Sequence, residues 1–494
     1  MKKIFLTSSL ALLFLTSCLL FVPKAESTPE PIPFTPPPTL APSDRSIYKD
    51  GLIPEYQNVL NELPYASMYD IKFNIADDMY HITGSETVIY TNVEDVDLKE
   101  VKFRLFPNIL GGDMHVDEVF VNDEVIIPNY TLNDSLLTVP LKFPLQPGEN
   151  VTLKMDFKIT VAQSVELNYG VQAYSENVLA LAHAFPMIPV YDDEGWNAEI
   201  PPQSGDVTYA DMSFFIVTVE APKDVVLVGS GREISYQENG NRQTVRYEAG
   251  PVRDFYLAAS SDYAVASKEA NGVTIRYYYL NDSREGAEFA LDVAARSMEV
   301  YGKRYAPYPY SELDFVSTPT FALGIEYPGM IAITNWIVEP DNNYLEATVA
   351  HEVGHQWFYN LVGNDQLDDP WLDESLTQFA TLQYFTDEYG QSGNDGYRQD
   401  MEGRWSSIGR AEIPVGLPVR DYTDMEYSGI VDGRGGLFFE ALREEMGSED
   451  FDAFLKEYVK INSWGVATPE KLQALAEKNC DCNLMHLFKK WIFP

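Results

Sequence analysis

Two histidines and a glutamate stand at a spacing that could bind one metal ion. His351 and His355 are four positions apart, so a helix would place both imidazoles on one face, with Glu352 one residue further round. Eighteen residues then separate His355 from Glu374. Two histidines and one carboxylate leave a fourth coordination position open, which is typical of a catalytic zinc site. The pattern predicts one Zn²⁺ held by His351, His355 and Glu374, with Glu352 as the general base that activates a water molecule.

The flanking residues predict two helices that would hold these groups. Apolar side chains recur with helical periodicity on both sides of the histidines, with Asn342 as the expected N-cap and Gly363 as the expected C-cap. A second helix is expected to open at Asp369–Pro370, a typical N-cap and first-turn pair, which puts Glu374 near its start. A chance His-Glu-x-x-His on a helix surface is disfavoured, because apolar flanks would bury the histidines without partners.

The sequence segments around these residues resemble those of the M1 aminopeptidases, a gluzincin family of zinc exopeptidases. They read His-Glu-x-x-His-Gln-Trp-Phe-x-Asn-Leu-Val over 351–362 and Trp-Leu-x-Glu over 371–374. Upstream, Leu-Gly-Ile-Glu-Tyr at 323–327 resembles the family's exopeptidase signature, Gly-Ala-Met-Glu-Asn or Gly-Gly-Met-Glu-Asn. The resemblance extends over about residues 60–494. It implies that Gly324 and Glu326 contact the substrate, with Glu326 binding its free α-amine.

One departure from the family pattern bears on the chemistry. The family has a tyrosine that stabilises the tetrahedral oxyanion, in a segment resembling Tyr-Ser-x-x-x-Tyr-x-Lys-Gly. Residues 427–435 read Tyr-Ser-Gly-Ile-Val-Asp-Gly-Arg-Gly, which puts Asp432 at the expected tyrosine position. An ionised carboxylate cannot donate a hydrogen bond to developing negative charge, and losing such a donor costs about 10²–10³-fold in turnover. Tyr427 and Arg434, at the usual lysine position, are the candidate substitutes.

The composition argues against some classes of partner. The 494 residues include 75 acidic and 35 basic side chains, giving a formal charge of −40. Nucleic-acid binding needs a basic footprint, and adhesion to anionic lipid headgroups needs positive charge as well. A negative field would attract peptides with free amines, although solubility explains the charge equally well.

The N-terminal residues have the features of an export signal. Two lysines precede an apolar stretch from Ile4 to Val22, within which Leu15-Thr16-Ser17-Cys18 resembles a bacterial lipobox. We expect residues 1–22 to be a signal peptide with a lipobox, so that a lipid on Cys18 anchors the protein. Conventional cleavage near Ala25 and an uncleaved signal anchor are the alternatives. All three make the protein exported, and membrane contact is expected only through this anchor.

The remaining chain predicts a multidomain β plus α/β fold. Residues 23–47 are a proline-rich linker. Short alternating runs between turn residues predict an antiparallel all-β domain over 48–262, which the resemblance makes saddle-like. Over 263–494 the pattern becomes mainly helical with a few strands, and the resemblance implies a thermolysin-like zinc metallopeptidase domain. The chain stops at Pro494, so the large C-terminal helical domain of many family members is not expected.

Cys480 and Cys482 are separated by one residue. We expect either two thiols at a helix end or, given the export signal, an unusually tight disulfide. The chain has no Cys-x-x-Cys pair, so a second metal site is not expected.

Three functions are compatible with these residues. The first is an exported zinc aminopeptidase that acts on peptides with a free N-terminus, using Glu352 as base and Glu326 as amine anchor. The second is a catalytically weakened M1-like zinc protein, a peptide-binding or scaffold lipoprotein, because of Asp432. The third is a zinc endopeptidase or other hydrolase that needs no free amine. The presence of both Glu352 and Glu326 favours the first, while Asp432 keeps the second open.

Overall fold

The computed structural model describes residues 44–202, 205–280 and 283–494, which all belong to one compact unit. The predicted signal peptide at 1–22 and most of the predicted linker at 23–47 lie outside the described residues. The last linker residues pack against the fold, since the Arg45 guanidinium lies 4.2 Å from the centre of the Phe214 ring. Arg45 also donates a hydrogen bond of 3.3 Å to the carbonyl oxygen of Ala66.

The strands follow one another as short segments separated by turns. In chain order they are β1 (Ser67–Ile75), β2 (His81–Thr91), β3 (Leu98–Arg104), β4 (Asp113–Val121), β5 (Glu124–Ile126), β6 (Asn129–Thr131), β7 (Leu136–Leu145), β8 (Asn150–Thr160), β9 (Gln172–Ser175), β10 (Val178–Leu181), β11 (Tyr191–Asp192), β12 (Gly195–Trp196), β13 (Ser213–Pro222), β14 (Val226–Gly229), β15 (Arg232–Asn239), β16 (Arg242–Val252), β17 (Leu257–Ser260), β18 (Tyr263–Ala270), β19 (Val273–Leu280), β20 (Glu312–Thr318), β21 (Gly324–Ile325) and β22 (Met330–Thr334).

The N-terminal part is built from β-sheets, as predicted. The largest has the strand order β15-β16-β13-β1-β2-β8-β4-β5. In β1 the buried Ile71, Phe73 and Ile75 alternate with exposed residues, so one face of the strand packs on the core. Neighbouring strands in this sheet are antiparallel except β1 and β13, which run parallel and thus depart from the purely antiparallel expectation. Smaller sheets, β14-β17-β10-β9 and β3-β7-β6, complete this part.

The C-terminal part is mainly helical around one mixed sheet. Its strand order is β18-β19-β20-β22-β21, with β19, β20 and β22 parallel and β21 antiparallel at one edge. A short helix, α1 (Val59–Glu62), precedes β1 in the β-rich part. The helices of the C-terminal part are α2 (Arg284–Arg304), α3 (Asn343–Gly354), α4 (Glu374–Tyr389), α5 (Gln391–Ser407), α6 (Asp424–Tyr427), α7 (Gly435–Met446), α8 (Ser448–Asn462), α9 (Pro469–Cys480) and α10 (Met485–Trp491), with a π-helical segment at Ser428–Arg434. No helix of the described residues has the length and apolarity needed to cross a membrane.

Helix α3 begins where the sequence predicts and ends earlier. The side-chain oxygen of Asn342 accepts a hydrogen bond of 2.9 Å from the N–H of Tyr344, which confirms Asn342 as the N-cap. The last helical residue is Gly354, so the predicted C-cap at Gly363 is wrong.

A long-range contact holds the chain beyond this helix end. The buried Arg253 side chain donates through Nε to the carbonyl oxygens of Tyr359 at 2.8 Å and Asn360 at 3.1 Å. Both carbonyls therefore point at a guanidinium rather than along a helix axis, and Tyr359 has a φ of 136°. A β-carbon on Gly363 would lie 2.1 Å from Cζ of Arg253, so glycine is required there for close approach.

Helix α4 begins at Glu374 itself. Its N-cap is Asp373, whose side chain accepts a hydrogen bond of 2.8 Å from the N–H of Glu374. The predicted N-cap, Asp369, instead precedes a separate 3₁₀ turn at Pro370–Leu372. The prediction of Asp369 as the cap is therefore wrong, although Glu374 lies at the helix start as expected.

Cys480 and Cys482 form a disulfide at the end of α9, with their Cα atoms 5.1 Å apart. The intervening Asp481 has a left-handed backbone with a φ of 48°. Of the two alternatives left open by the sequence, the structure contains the tight disulfide.

Candidate metal and catalytic site

Helices α3 and α4 bring the three predicted metal ligands together. The Nε2 atoms of His351 and His355 are 3.0 Å apart, and Oε2 of Glu374 lies 3.3 Å from the first and 3.8 Å from the second. A tetrahedral ion bound at about 2.1 Å separates neighbouring ligand atoms by about 3.4 Å. The donor atoms of His351, His355 and Glu374 thus fit one metal ion.

Both histidines have the protonation state that a metal requires. Burial lowers the pKa of His351 well below its usual value, with His355 and Arg404 adding to the effect, and burial lowers the pKa of His355 to about 4. Both imidazoles are therefore neutral near pH 7, which is the form that coordinates metals. Nδ1 of His355 lies 2.9 Å from the Phe358 carbonyl oxygen. Because that carbonyl can only accept, Nδ1 carries the proton and Nε2 presents its lone pair.

Six carboxyl groups line the same space, and we call them the acidic cluster: Asp206, Glu326, Glu352, Asp373, Glu374 and Asp432. Burial raises the pKa of each, and for Glu326, Glu352 and Glu374 the charges of cluster neighbours raise it further. The pKa of Asp206 rises to about 6 and that of Asp373 to about 8, burial being the largest cause for both. A divalent cation and an ammonium group are the partners that would relieve this repulsion.

Glu326 is held in place by an amide network. Nε2 of Gln366 donates to Oε1 of Glu326 at 3.2 Å and to Oδ2 of Asp373 at 2.9 Å. The hydroxyl of Thr208 donates to Oε1 of Gln366 at 3.0 Å. Glu326 is only 6% exposed, so this network fixes the carboxylate in the interior of the site. Sequence analysis missed Gln366 and Thr208, because they belong to no motif and come from distant parts of the chain.

Gly324 lets strand β21 pass directly against the predicted base. A β-carbon at position 324 would lie 2.5 Å from Oε1 of Glu352, so a larger residue would displace that carboxylate. Glu352 is 5% exposed. Tyr327, which replaces the asparagine of the family signature, stacks on Tyr256 with ring centres 4.1 Å apart. The signature segment thus keeps the glycine and glutamate at the site and buries its last side chain.

Asp432 lies in the π-helical segment and is paired with a cation. Nη1 of Arg404 donates to Oδ2 of Asp432 at 3.2 Å. Burial raises the pKa of Asp432, and the Arg404 guanidinium opposes that rise. The expected tyrosine position therefore carries an ion pair beside the metal ligands. Nothing in the sequence pattern indicates Arg404, which approaches from α5.

Tyr427 has an uncommitted hydroxyl in the same place. Its side chain is buried, and the hydroxyl finds no hydrogen-bond partner among the described residues. Burial raises the pKa of the Tyr427 hydroxyl well above its usual value, and the nearby charges of Glu374 and Asp206 raise it further. Tyr427 is therefore a neutral donor within the acidic cluster.

Arg434, the other candidate substitute, is committed elsewhere. It donates hydrogen bonds of 2.8 Å to the carbonyl oxygen of Ile413, 2.7 Å to that of Trp491 and 2.8 Å to that of Lys490. Its guanidinium also lies 4.9 Å from the Trp491 ring centre. The interpretation of Arg434 as a donor to the substrate is wrong, because the side chain holds the C-terminal segment.

The C-terminal part of the chain is similar to a known peptidase domain. Residues 289–491 match the peptidase family M1 domain. This match covers less than half of the chain, so the mainly helical part is similar to that family's domain. The chain is 24% identical over 414 residues to Aminopeptidase M1-B of Oryza sativa subsp. japonica, covering 77% of this chain and 45% of the relative. It is 26% identical over 303 residues to Aminopeptidase M1 of Arabidopsis thaliana, covering 56% and 33%. The chain thus spans less than half the length of these relatives.

Solved structures show the same fold. The M1 zinc metallopeptidase of Deinococcus radiodurans superposes with a TM-score of 0.66 at 20% identity, over 87% of this chain and 94% of that one. A variant of that enzyme bound to the peptide Tyr-Ser-Ala gives a TM-score of 0.67 at 19% identity, over the same shares. The β-rich part followed by a mainly helical part is therefore the two-domain arrangement of the family. The boundaries predicted at 48–262 and 263–494 stay a prediction.

The zinc content of a ligand variant tests the assignment of the metal ligands. We expect the purified protein to bind about one zinc ion per chain, and His351→Ala to lose most of it, because two ligands cannot hold the ion in a site built for three. The control is His115→Ala, an exposed histidine on β4. Zinc is measured by elemental mass spectrometry after dialysis. Equal zinc in His351→Ala and the parent would contradict the assigned ligands.

Proposed function

We propose that the protein is an exported zinc aminopeptidase that removes the N-terminal residue from peptides. The observation that carries this proposal is the position of Glu326. Its buried carboxylate shares the acidic cluster with Glu352, so a substrate ammonium bound there brings the first peptide bond to the base. The names of the curated relatives, aminopeptidases, support the same activity.

Bound zinc and Glu352 have separate roles in the proposed reaction. Bound zinc supplies a Lewis acid that polarises the scissile carbonyl and makes water more acidic. Glu352 accepts the proton of the attacking water and delivers it to the leaving nitrogen. The low solvent exposure of Glu352, together with the nearby charges of Asp206 and Asp432, raises its pKa and so helps it hold that proton between the two steps.

Glu326 sets which bond is cut. An ammonium group pairs with its carboxylate, and Gln366 keeps that carboxylate from turning away. A blocked amine has no charge to offer, so its entry would leave a buried carboxylate without a cation. This requirement for a free N-terminus separates an aminopeptidase from an endopeptidase.

Tyr427 supplies the donor that position 432 lacks. A phenol with a raised pKa stays protonated and can donate to the oxygen of the scissile carbonyl as negative charge develops. Its unpartnered hydroxyl favours an active enzyme over the weakened peptide-binding alternative. Arg404 meanwhile pairs with Asp432, which reduces the repulsion that the carboxylate would otherwise exert.

Export is supported by two separate features. The apolar segment and lipobox of residues 1–22 are typical of a lipoprotein signal, and the Cys480–Cys482 disulfide is typical of an oxidising compartment. A lipid on Cys18 would anchor the enzyme at the cell surface.

Mass spectrometry of the mature N-terminus tests the export proposal. We expect a diacylglycerol-modified Cys18 as the first residue and no lipid in Cys18→Ser. A mature N-terminus near Ala25 that carries no lipid would show that the protein is secreted and is not a lipoprotein. A cytoplasmic protein that still begins at Met1 would contradict export altogether.

A substrate panel tests the activity. We expect aminoacyl chromogenic amides with a free amine to be hydrolysed and their N-acetyl forms to react at least about 10²-fold more slowly, because a buried ion pair is lost. Glu352→Gln should lower kcat by about 10²–10⁴-fold. Glu326→Gln should lower the ratio of the hydrolysis rate of free-amine substrates to that of their N-acetyl forms. Equal rates on both sets would indicate an endopeptidase. No hydrolysis by the folded, zinc-loaded protein would favour the peptide-binding alternative.

A pair of tyrosine variants tests the proposed donor. Tyr427→Phe should lower kcat by about 10²–10³-fold, because the hydrogen bond to the developing oxyanion is lost, while zinc content stays the same. Tyr422→Phe is the matched control, since that neighbouring hydroxyl donates to the carbonyl oxygens of Pro414 and Val415 instead. If Tyr427→Phe keeps the kcat of the parent, Tyr427 is not the donor.

A further inference from the structure

The segment 321–326 runs from solvent to the interior of the site. Phe321 is 51% exposed and Leu323 is 43% exposed. Gly324 lies against Glu352, and Glu326 is buried two residues further on. The segment therefore connects the protein surface, the predicted base and the amine anchor in that order.

This order indicates a direction for the rest of a peptide. A substrate whose amine is at Glu326 and whose first peptide bond is near Glu352 can continue along the same segment towards Leu323 and Phe321. Strand β21 lies at the edge of its sheet, so a peptide can extend beside it. An extended chain rises about 3.3 Å per residue. Residues 321–323 form bends before β21, so Phe321 lies within the reach of three extended residues from Gly324 and is opposite about the second or third residue beyond the cleaved bond.

Phe321 forms an exposed aromatic pair with Trp336. Their ring centres are 5.5 Å apart with an interplanar angle of 76°, and Trp336 is 58% exposed. Exposed aromatic pairs of this kind, continuous with a site, are typical of surfaces that bind apolar groups. Leu323, which replaces a glycine of the family signature, adds apolar surface between the pair and the base.

The backbone beneath this pair is firmly held. The N–H of Phe321 donates to the carbonyl oxygen of Tyr169 at 2.9 Å. The hydroxyl of Thr334 donates to the carbonyl oxygen of Thr320 at 2.8 Å. The backbone N–H of Thr334 donates to the carbonyl oxygen of Leu323 at 3.0 Å. The rings are therefore exposed on an ordered support, which limits the entropy lost when a ligand packs on them.

We propose that Phe321 and Trp336 form an aromatic platform that binds apolar side chains two or three residues beyond the cleaved bond. The platform selects peptides of at least three residues with apolar residues at those positions. This inference rests on the proposed aminopeptidase function, because the amine at Glu326 sets the direction of the peptide.

A peptide series separates the platform from the reaction itself. We compare Ala-Ala-Leu-Leu-amide with Ala-Ala-Ser-Ser-amide, and use alanine p-nitroanilide as a substrate too short to reach the platform. The parent should prefer the leucine peptide by about tenfold in kcat/KM, which corresponds to partial burial of apolar side chains. Phe321→Ala and Trp336→Ala should each reduce that ratio towards one and leave the anilide rate unchanged. Phe143→Ala, an exposed phenylalanine on β7, is the control and should keep the ratio.

The outcomes are distinguishable from a failure of the proposed function. Absence of anilide hydrolysis by the parent would overturn the aminopeptidase proposal, and the platform is then tested by calorimetric binding of both peptides to Glu352→Gln. A preference that survives Phe321→Ala and Trp336→Ala, in turnover or in binding, would overturn the platform. A parallel fall in the anilide rate would also overturn it, because the rings would then support the catalytic centre instead.

Discussion

The concentration of carboxyl groups in one desolvated space is the constraint on which the rest of the site depends. A buried carboxylate that no cation or hydrogen-bond donor compensates costs several kcal/mol, and the acidic cluster places six carboxyl groups in one space. Arg404 compensates Asp432, and the Gln366 amide serves Glu326 and Asp373. The remaining charge needs a metal ion and a cationic substrate. In the proposed function, catalysis and affinity for an N-terminal amine therefore have the same electrostatic origin, and metal binding would also stabilise the fold.

The fold assembles this cluster from separate stretches of chain. Helices α3 and α4 present the metal ligands, the edge strand β21 leads to Glu326, and the π-helical segment carries Asp432 next to Tyr427. Arg253 joins these parts, because its guanidinium binds carbonyls just beyond α3 and that of Ala210 in the β-rich part. A side chain remote from the chemistry thus links the β-rich part to the chain just beyond α3.

Local patterns in the sequence predict the features that depend on spacing alone. The four-residue interval of His351 and His355, the Asn342 cap and the alternation of β1 all follow from helix and strand periodicity. The predicted C-cap at Gly363 is wrong, because the helix ends at Gly354 and the residues that follow bind Arg253, over a hundred residues earlier in the chain. Asp206, Gln366 and Arg404 could not be identified, since contacts across such separations leave no local signature. The resemblance to M1 aminopeptidases located Glu326 and Asp432. Only the structure shows that the Tyr427 hydroxyl has no hydrogen-bond partner among the described residues and that Arg434 binds the C-terminal segment.

In the proposed reaction one ion, one amine anchor and one phenol act on the same peptide bond. A crystal structure of Glu352→Gln with zinc and a free-amine tripeptide, with anomalous data at the zinc edge, tests this arrangement. We expect one anomalous peak about 2.1 Å from the donor atoms of His351, His355 and Glu374. We also expect the peptide amine on Glu326 and the first carbonyl oxygen facing the Tyr427 hydroxyl. A peak elsewhere, or an amine distant from Glu326, would contradict this arrangement.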